Sequence, residues 1–175
     1  MTISPGCRAG RRHVLARNNA MTLTRTSDRE FVLTRVFAAP RRLVFEAWTR
    51  PEHVRNWYGC SIMTLTACEI DLRVGGTWRY VMRAPDGAEH TMTGVYREIA
   101  PPGRLVYTER YVTAGFACNE ALVTAIFAEY DGLTTLTCTV AHASREDCEG
   151  HLASGMDRGA AQVYDRLEAH LRTMA

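Results

Sequence analysis

The chain has 175 residues, and all 21 of its basic residues are arginine; it contains no lysine. A Schiff-base lysine, a pyridoxal-phosphate lysine and a phosphate-loop lysine are therefore excluded as the basis of any chemistry. The hydrophobic share of 46% and charged share of 23% are ordinary for a globular chain, and the length suggests one domain. We attribute the missing lysine to codon bias in a GC-rich genome.

The net charge of +2 is unevenly distributed along the chain. Residues 1–28 carry five arginines against one acid, whereas residues 29–175 carry 16 arginines against 18 acids. The globular part is thus slightly acidic, so we expect no nucleic-acid partner. No apolar run approaches the ~18–20 residues of a membrane span, so we expect no transmembrane segment.

Residues 1–28 show no periodicity and predict a flexible basic extension, with the folded domain over residues 29–175. Met21 is a candidate natural start, in which case the first 20 residues are an upstream extension. The alternative is that they form an arginine-rich transit peptide. A secretory signal is excluded, because the segment lacks an apolar core.

The six cysteines lie at irregular spacing, with no C-x-x-C pair. Without a secretion signal, this pattern predicts reduced thiols in a cytoplasmic protein. Cys148 and His151 are three residues apart, but no second pair at metal-ligand spacing accompanies them. We therefore predict neither a metal site nor a cofactor.

The first predicted elements are a strand at 31–37 and two short helices opened by Pro40 and Pro51, the second stopped by Gly59. Gly75-Gly76, Pro85-Asp86-Gly87 and Asp131-Gly132 then mark tight turns. Six strands are predicted around them, at 63–72, 77–83, 90–99, 105–112, 121–129 and 134–140. Their polar and apolar residues alternate, which predicts an antiparallel sheet with one buried face.

The C-terminus predicts one long helix that begins after Ser144 as N-cap. Its apolar residues recur every three or four positions, as a single stripe facing the sheet: Leu152, Met156, Ala160, Val163, Leu167 and Leu171. Gly150, Gly155 and Gly159 are poor helix formers, which either let the helix approach the sheet or leave space beneath it. The predicted fold is α+β, in the order β-αα-β6-α.

Several strings match a known superfamily in order and spacing over residues 29–173. They are Arg35-Val36-Phe37-Ala38-Ala39-Pro40, Val44-Phe45-Glu46-Ala47-Trp48-Thr49, Glu69-Ile70-Asp71-Leu72-Arg73-Val74-Gly75-Gly76, Gly94-Val95-Tyr96 and Ser154-Gly155-Met156. The chain resembles the SRPBCC (START-like, birch-allergen-like) superfamily, and within it the bacterial single-domain relatives of the activator of heat-shock-protein-90 ATPase. It departs from the family after Trp57, where it has Tyr58-Gly59-Cys60 instead of a second Trp and a Gly-Pro.

The resemblance implies a helix-grip fold, in which a curved sheet wraps around a long C-terminal helix and encloses an apolar cavity. Members of the superfamily include ligand carriers, cyclases, hydrolases and co-chaperone-like domains, so the fold does not decide the function. We predict that aromatic residues and methionines line the cavity and bind a ligand: Trp48, Trp57, Tyr58, Trp78, Tyr80, Met82, Tyr96, Tyr107, Phe127 and Met156. Ordinary core packing of these residues is the alternative.

No catalytic set can be assembled from the sequence. The acid–base candidates on strands are Glu69, Asp71, His90, Glu98, Glu109 and Glu120. We interpret Glu69, Asp71 and Arg73 as structural ion pairing near the Gly75-Gly76 turn. No nucleophile elbow surrounds Ser154, and Gly75-Gly76 precedes a strand, so it is no phosphate cradle. We therefore assign no catalytic residue and lean against an enzyme.

Three functions stay open. The leading one is non-catalytic binding of a small hydrophobic or amphipathic molecule in the cavity. The second is acid–base catalysis there, as in a cyclase or hydrolase, which requires a carboxylate or histidine facing the apolar space. The third is a chaperone-interacting module that uses the outer sheet face with Arg79, Arg83 and Arg97. A homodimer is compatible with all three.

Overall fold

A computed structural model describes residues 20–174, which form an α+β fold. Among these residues there are nine strands and four helices, in the order β1 (Thr22–Arg25), β2 (Glu30–Phe37), α1 (Arg41–Thr49), α2 (Pro51–Trp57), β3 (Thr64–Ile70), β4 (Thr77–Arg83), β5 (Glu89–Ala100), β6 (Arg104–Thr113), β7 (Phe116–Ala117), β8 (Ala121–Tyr130), β9 (Leu133–Ala141), α3 (Arg145–Ala153) and α4 (Met156–Met174).

The strands form one curved antiparallel sheet, in the order β1-β2-β9-β8-β6-β5-β4-β3, with β7 paired to β6. The side chains alternate as the sequence predicts: Trp78 and Tyr80 on β4 are buried, whereas Thr77 and Arg79 are exposed. The same alternation buries Leu136 and Cys138 on β9. The buried face packs against the helices, and the predicted helix-grip fold is confirmed.

The first strand lies inside the segment that the sequence assigned to a flexible extension. Thr22–Arg25 pairs with β2 in antiparallel register, from Thr22 opposite Thr34 to Arg25 opposite Phe31. The prediction of a tail up to residue 28 is therefore wrong from residue 22 onward. Four residues at a sheet edge are too few to show periodicity, and three of them are exposed. Residues 1–19, which carry the rest of the predicted extension, lie outside the described residues.

The C-terminal helix is two helices rather than one. Ser144 caps α3 as predicted, since its hydroxyl accepts a hydrogen bond from the Asp147 N–H at 3.1 Å. The helix ends at Ala153, because Gly155 adopts a φ of +78°, a left-handed conformation that an α-helix does not contain. Then α4 begins at Met156. The i+3/i+4 apolar spacing continues across this break, which is why the sequence predicts a single helix.

The apolar stripe divides into two parts along these helices. Leu167 and Leu171, near the end of α4, are fully packed in the core. Met156, Ala160 and Val163, nearer the break, are only half-buried and line an internal space. The fold thus has a solid core under the end of α4 and a cavity under its beginning.

Candidate functional site

A cavity of about 770 Å³ lies between the concave face of the sheet and the helices. Small-molecule sites in proteins commonly occupy ~300–1,000 Å³, so this space suits a ligand. Nine of the ten residues predicted to line it do so: Trp48, Trp57, Tyr58, Trp78, Tyr80, Met82, Tyr96, Tyr107 and Met156. Their placement on the wall is observed, whereas ligand binding by them stays a prediction.

Phe127 is the exception among the ten. It is buried on β8, where its ring packs edge-on against Phe45 at 5.4 Å between centroids. It also contacts the Trp48 ring at 6.1 Å. Phe127 therefore supports the wall from behind. Alternation along β8 places it on the inner face, but that face includes solid core as well as cavity.

Glycines help to keep the space open. Gly150, Gly155 and Gly159 all line the cavity, and a Cβ built on any of them would meet no atom within 4 Å. Of the two alternatives that the sequence left for these glycines, the structure shows no close approach to the sheet, and Gly159, within α4 and half-buried, is the one that leaves space beneath the helix.

The deep wall is a continuous group of aromatic rings. Tyr58 and Tyr80 lie 4.6 Å apart between ring centroids, Trp78 and Tyr80 5.0 Å, and Trp78 and Tyr107 5.7 Å in an edge-on arrangement. Such tilted and edge-on pairs stabilise one another beyond their burial. We expect this wall to hold its shape without a ligand.

Gly94 allows one of these rings to reach its position. The Trp78 indole N–H donates to the Thr108 carbonyl at 3.2 Å, across the strand that carries Gly94. A Cβ at Gly94 would lie 1.7 Å from that carbonyl oxygen and 2.7 Å from the indole nitrogen. A glycine is required here because β5 and β6 approach too closely for any side chain.

Glu109 is the carboxylate that faces the cavity from the sheet. It follows Tyr107 and precedes Tyr111 on the inner face of β6, and all three line the space. Within residues 20–174 its carboxylate has no ion-pair or hydrogen-bond partner, and burial alone raises its pKa from 4.5 to about 7. Both the protonated and the ionised form are therefore populated near neutral pH.

Among the described residues, six tyrosines line the cavity, and the hydroxyls of two of them are hydrogen-bonded. The Tyr164 hydroxyl donates to the Cys138 sulfur at 3.5 Å, and the Tyr111 hydroxyl is hydrogen-bonded to His90. In the described part of the chain, four other wall tyrosines have no hydroxyl partner: Tyr58, Tyr80, Tyr96 and Tyr107. Burial, as the largest cause, raises the pKa of each, so all four stay neutral phenols.

The opening of the cavity lies beside α3 and β7. Exposed wall residues cluster here, among them Phe116, Asn119 and Ser154. Near the opening, His142 Nε2 and His151 Nδ1 are 3.0 Å apart, so one imidazole donates to the other. Burial lowers the pKa of both, that of His151 to about 4 with a further contribution from His142. Both rings are thus uncharged at neutral pH.

The other acid–base candidates face outward or sit at the edges of the sheet. Glu69 pairs with Arg79 at 3.7 Å, Asp71 with Arg73 at 2.8 Å and Glu98 with Arg104 at 3.0 Å, all on the surface. Glu120 is exposed, and His90 is half-buried against Tyr111. The ion pairing expected near the Gly75-Gly76 turn is present, but Arg79 rather than Arg73 is the partner of Glu69.

Glu109 could have been distinguished from the other acids by its position in the alternating pattern. It shares a face with Tyr107, which the alternating pattern predicts to lie on the inner wall. Charged residues at inward positions are uncommon, and this one has no neighbouring arginine on the same face of β6.

Residues 20–174 contain no group of three or more histidine, cysteine or acidic side chains that could hold a metal ion. Cys148 is buried, and the His151 that follows it is paired with His142.

None of the described helices is both long and apolar enough to cross a membrane. Five cysteines, at 60, 68, 118, 138 and 148, are free thiols.

Comparison with known proteins agrees with this architecture. The family model described as activator of Hsp90 ATPase homolog 1-like protein matches residues 38–172, which is most of the chain and includes nearly every element around the cavity. This chain belongs to that family. No curated protein matches it.

Solved structures of similar proteins share the family's fold. A crystal structure of a protein from Rhodobacter sphaeroides is 27% identical, with a TM-score of 0.81 over 88% of this chain and 99% of that one. A Mycobacterium smegmatis protein is 24% identical, with a TM-score of 0.77 over 89% and 99%. The AHSA1 protein from Silicibacter pomeroyi is 20% identical, with a TM-score of 0.68 over 83% and 99%. The last two show the fold alone.

Proposed function

We propose that this protein binds a small, mainly apolar molecule with at least one polar group in the cavity under α3 and α4. The observation that carries the proposal is the combination of about 770 Å³ of space with an aromatic wall and polar atoms that lack protein partners. An apolar body would pack against the rings, and its polar group would satisfy Glu109 or a phenol hydroxyl.

Tryptophan fluorescence offers a direct assay. The three tryptophans of the chain, Trp48, Trp57 and Trp78, all line the cavity, so a bound molecule should change the emission of every one. A panel of lipids and aromatic compounds would be screened by this change and by the shift in melting temperature. We expect saturable changes for some compounds, with a matching rise in melting temperature.

Gly159→Phe provides the matched control. A phenylalanine side chain there would enter the open space beneath α4, where a Cβ meets nothing within 4 Å. This variant should stay folded and lose the response to every compound that the unmodified protein binds. Equal responses in both proteins would place binding elsewhere, and no response in either would refute the proposal.

Glu109 supports a second candidate function, acid–base catalysis in the same cavity. A carboxyl group with a pKa of about 7 in apolar surroundings can both accept and donate a proton near neutral pH. The test is to incubate each bound compound with the protein and analyse the mixture by mass spectrometry. Conversion that Glu109→Gln abolishes without loss of binding would support catalysis, and unaltered compounds throughout would exclude it for that panel.

The chaperone hypothesis rests on the description of the family. The outer-face arginines that would serve it are mostly engaged, because Arg79 pairs with Glu69 and Arg83 pairs with Glu89 at 3.0 Å. A pull-down with the cell's own heat-shock-protein-90 homologue tests it, and absence of enrichment would count against it.

A further inference from the structure

The charges that line the cavity have one sign. Its charged wall residues are Glu109 in the interior and Glu146 and Asp147 at the opening. Although the chain has 21 arginines, none belongs to the wall formed by the described residues, and there is no lysine to contribute. The two wall histidines, His142 and His151, have lowered pKa values and are neutral at pH 7. Among these wall residues a ligand with a negative group would therefore meet no counter-charge, and Arg166, which borders the wall, donates to the Gly59 carbonyl at 3.2 Å.

The surroundings of Glu109 are aromatic and uncharged. The titratable groups that sense its charge lie on several elements around it. They are neutral phenols and a thiol: Tyr58 after α2, Tyr80 on β4, Tyr107 on β6, Cys138 on β9 and Tyr164 on α4. Burial is the main cause of the raised pKa of each of these groups, and the Glu109 charge adds to it. Nothing among them neutralises an ionised carboxylate.

Resting on the proposed function, we infer that the ligand is an organic cation: an apolar body with a protonated amine that pairs with the Glu109 carboxylate among the rings of Tyr58, Tyr80 and Tyr107. An ammonium group would form a charge-assisted hydrogen bond with a carboxylate that lacks any other partner. The aromatic faces attract the same positive charge through their quadrupoles. An anionic ligand would pair neither with the Glu109 carboxylate nor with the aromatic faces.

The pairing makes a prediction about pH. A protonated amine requires Glu109 to be ionised, and with a pKa of about 7 the ionised fraction rises roughly tenfold between pH 6 and pH 8. Affinity for an amine should rise by nearly the same factor, since aliphatic amines stay protonated throughout this range. A neutral molecule of the same shape should show no such rise.

Decylamine, decanol and decanoate form a matched series of probes with a cationic, a neutral and an anionic head on the same chain. Binding of each would be measured by tryptophan fluorescence below its aggregation concentration, at pH 6 and pH 8. We expect decylamine to bind most tightly at pH 8, at least roughly tenfold more tightly than decanol, and decanoate to bind most weakly.

Two variants separate the role of Glu109 from other causes. Glu109→Gln keeps the shape of the side chain and should remove both the preference for decylamine and its pH dependence. Glu120→Gln removes an exposed carboxylate near the start of β8 and should change neither. Because the pH series uses the unmodified protein, the test stands even if Glu109→Gln fails to fold.

The outcomes distinguish this inference from the proposed function. Equal binding of decylamine and decanol at pH 8, or tighter binding of decanoate, would overturn the cation inference and leave cavity binding intact. Failure of all three probes, together with failure of the wider panel, would overturn both.

Discussion

Replacing Glu109 with glutamine should change how the stability of the protein depends on pH. In the folded protein, burial raises the pKa of Glu109 from 4.5 to about 7, whereas in the unfolded chain the group returns to its ordinary value. The native state therefore holds this proton between these two pH values and the unfolded state does not. Glutamine cannot titrate, so the variant lacks this contribution.

The sign and size of the change in the free energy of unfolding follow from this difference in pKa. A raised native pKa means that the contribution is fully present below about pH 4.5 and is lost as the pH rises to about 7. At roughly 1.4 kcal/mol for each unit of pKa, the total loss is about 3 kcal/mol. The free energy of unfolding of the unmodified protein, minus that of Glu109→Gln, should therefore fall by about 3 kcal/mol from pH 4.5 to pH 8.

The difference between the two proteins is the quantity to follow, because other groups titrate in the same range. The pKa of His151 is lowered to about 4, so its contribution is present above its ordinary value of 6.5 and is lost as the pH falls. That trend opposes the one from Glu109 and would partly mask it in the unmodified protein alone. It cancels when the two proteins are subtracted.

Urea unfolding followed by tryptophan fluorescence, at a series of pH values, gives the required free energies. Glu120→Gln serves as the control, since an exposed carboxylate should give a difference that stays nearly constant with pH. Parallel profiles for the unmodified protein and Glu109→Gln would refute the reasoning, because they would mean that Glu109 is as well solvated in the folded protein as in the unfolded one.

Further predictions concern the helices over the cavity, each measured by urea unfolding. Gly159→Ala should stabilise the protein by about 0.5–1 kcal/mol, because alanine favours the helix and its Cβ meets open space. Gly155→Ala should instead cost roughly 1–2 kcal/mol, because Gly155 has a φ of +78°. Equal effects of the two substitutions would contradict a helix break at Gly155. Leu167→Ala should cost about 2–5 kcal/mol, since Leu167 is fully buried, and a cost below 1 kcal/mol would mean that the core under α4 is loose. Ser144→Ala should cost about 1 kcal/mol by removing the cap of α3, and Ser144→Asp should restore most of it.

The sequence predicts the parts of the fold that have strong periodic patterns. Alternation on β4, β8 and β9 and the turns at Gly75-Gly76 and Asp131-Gly132 appear as expected. Two short strands were missed, β1 with four residues and β7 with two, because so few residues at an edge carry no readable period. The break at Gly155 was missed because the apolar stripe runs through it.

The cavity could be predicted only in outline. Aromatic residues at inward positions indicate a wall, but the same pattern fits a packed core, and Phe127 shows that both occur on one sheet face. Whether Gly150 and Gly159 permit contact or leave a void depends on distances between elements far apart in the sequence. The raised pKa of Glu109 likewise depends on burial by residues far apart in the sequence, among them Tyr58, Tyr80 and Tyr164, which no local pattern displays.

A crystal structure grown in the presence of decylamine would test the central claim most directly. We expect continuous electron density for the alkyl chain of decylamine inside the space beneath the start of α4. It should run along the wall formed by Tyr58, Trp78 and Tyr107, with those rings close to their present positions. An interior in which these side chains have collapsed to fill the space, with no density for a bound molecule, would contradict the account.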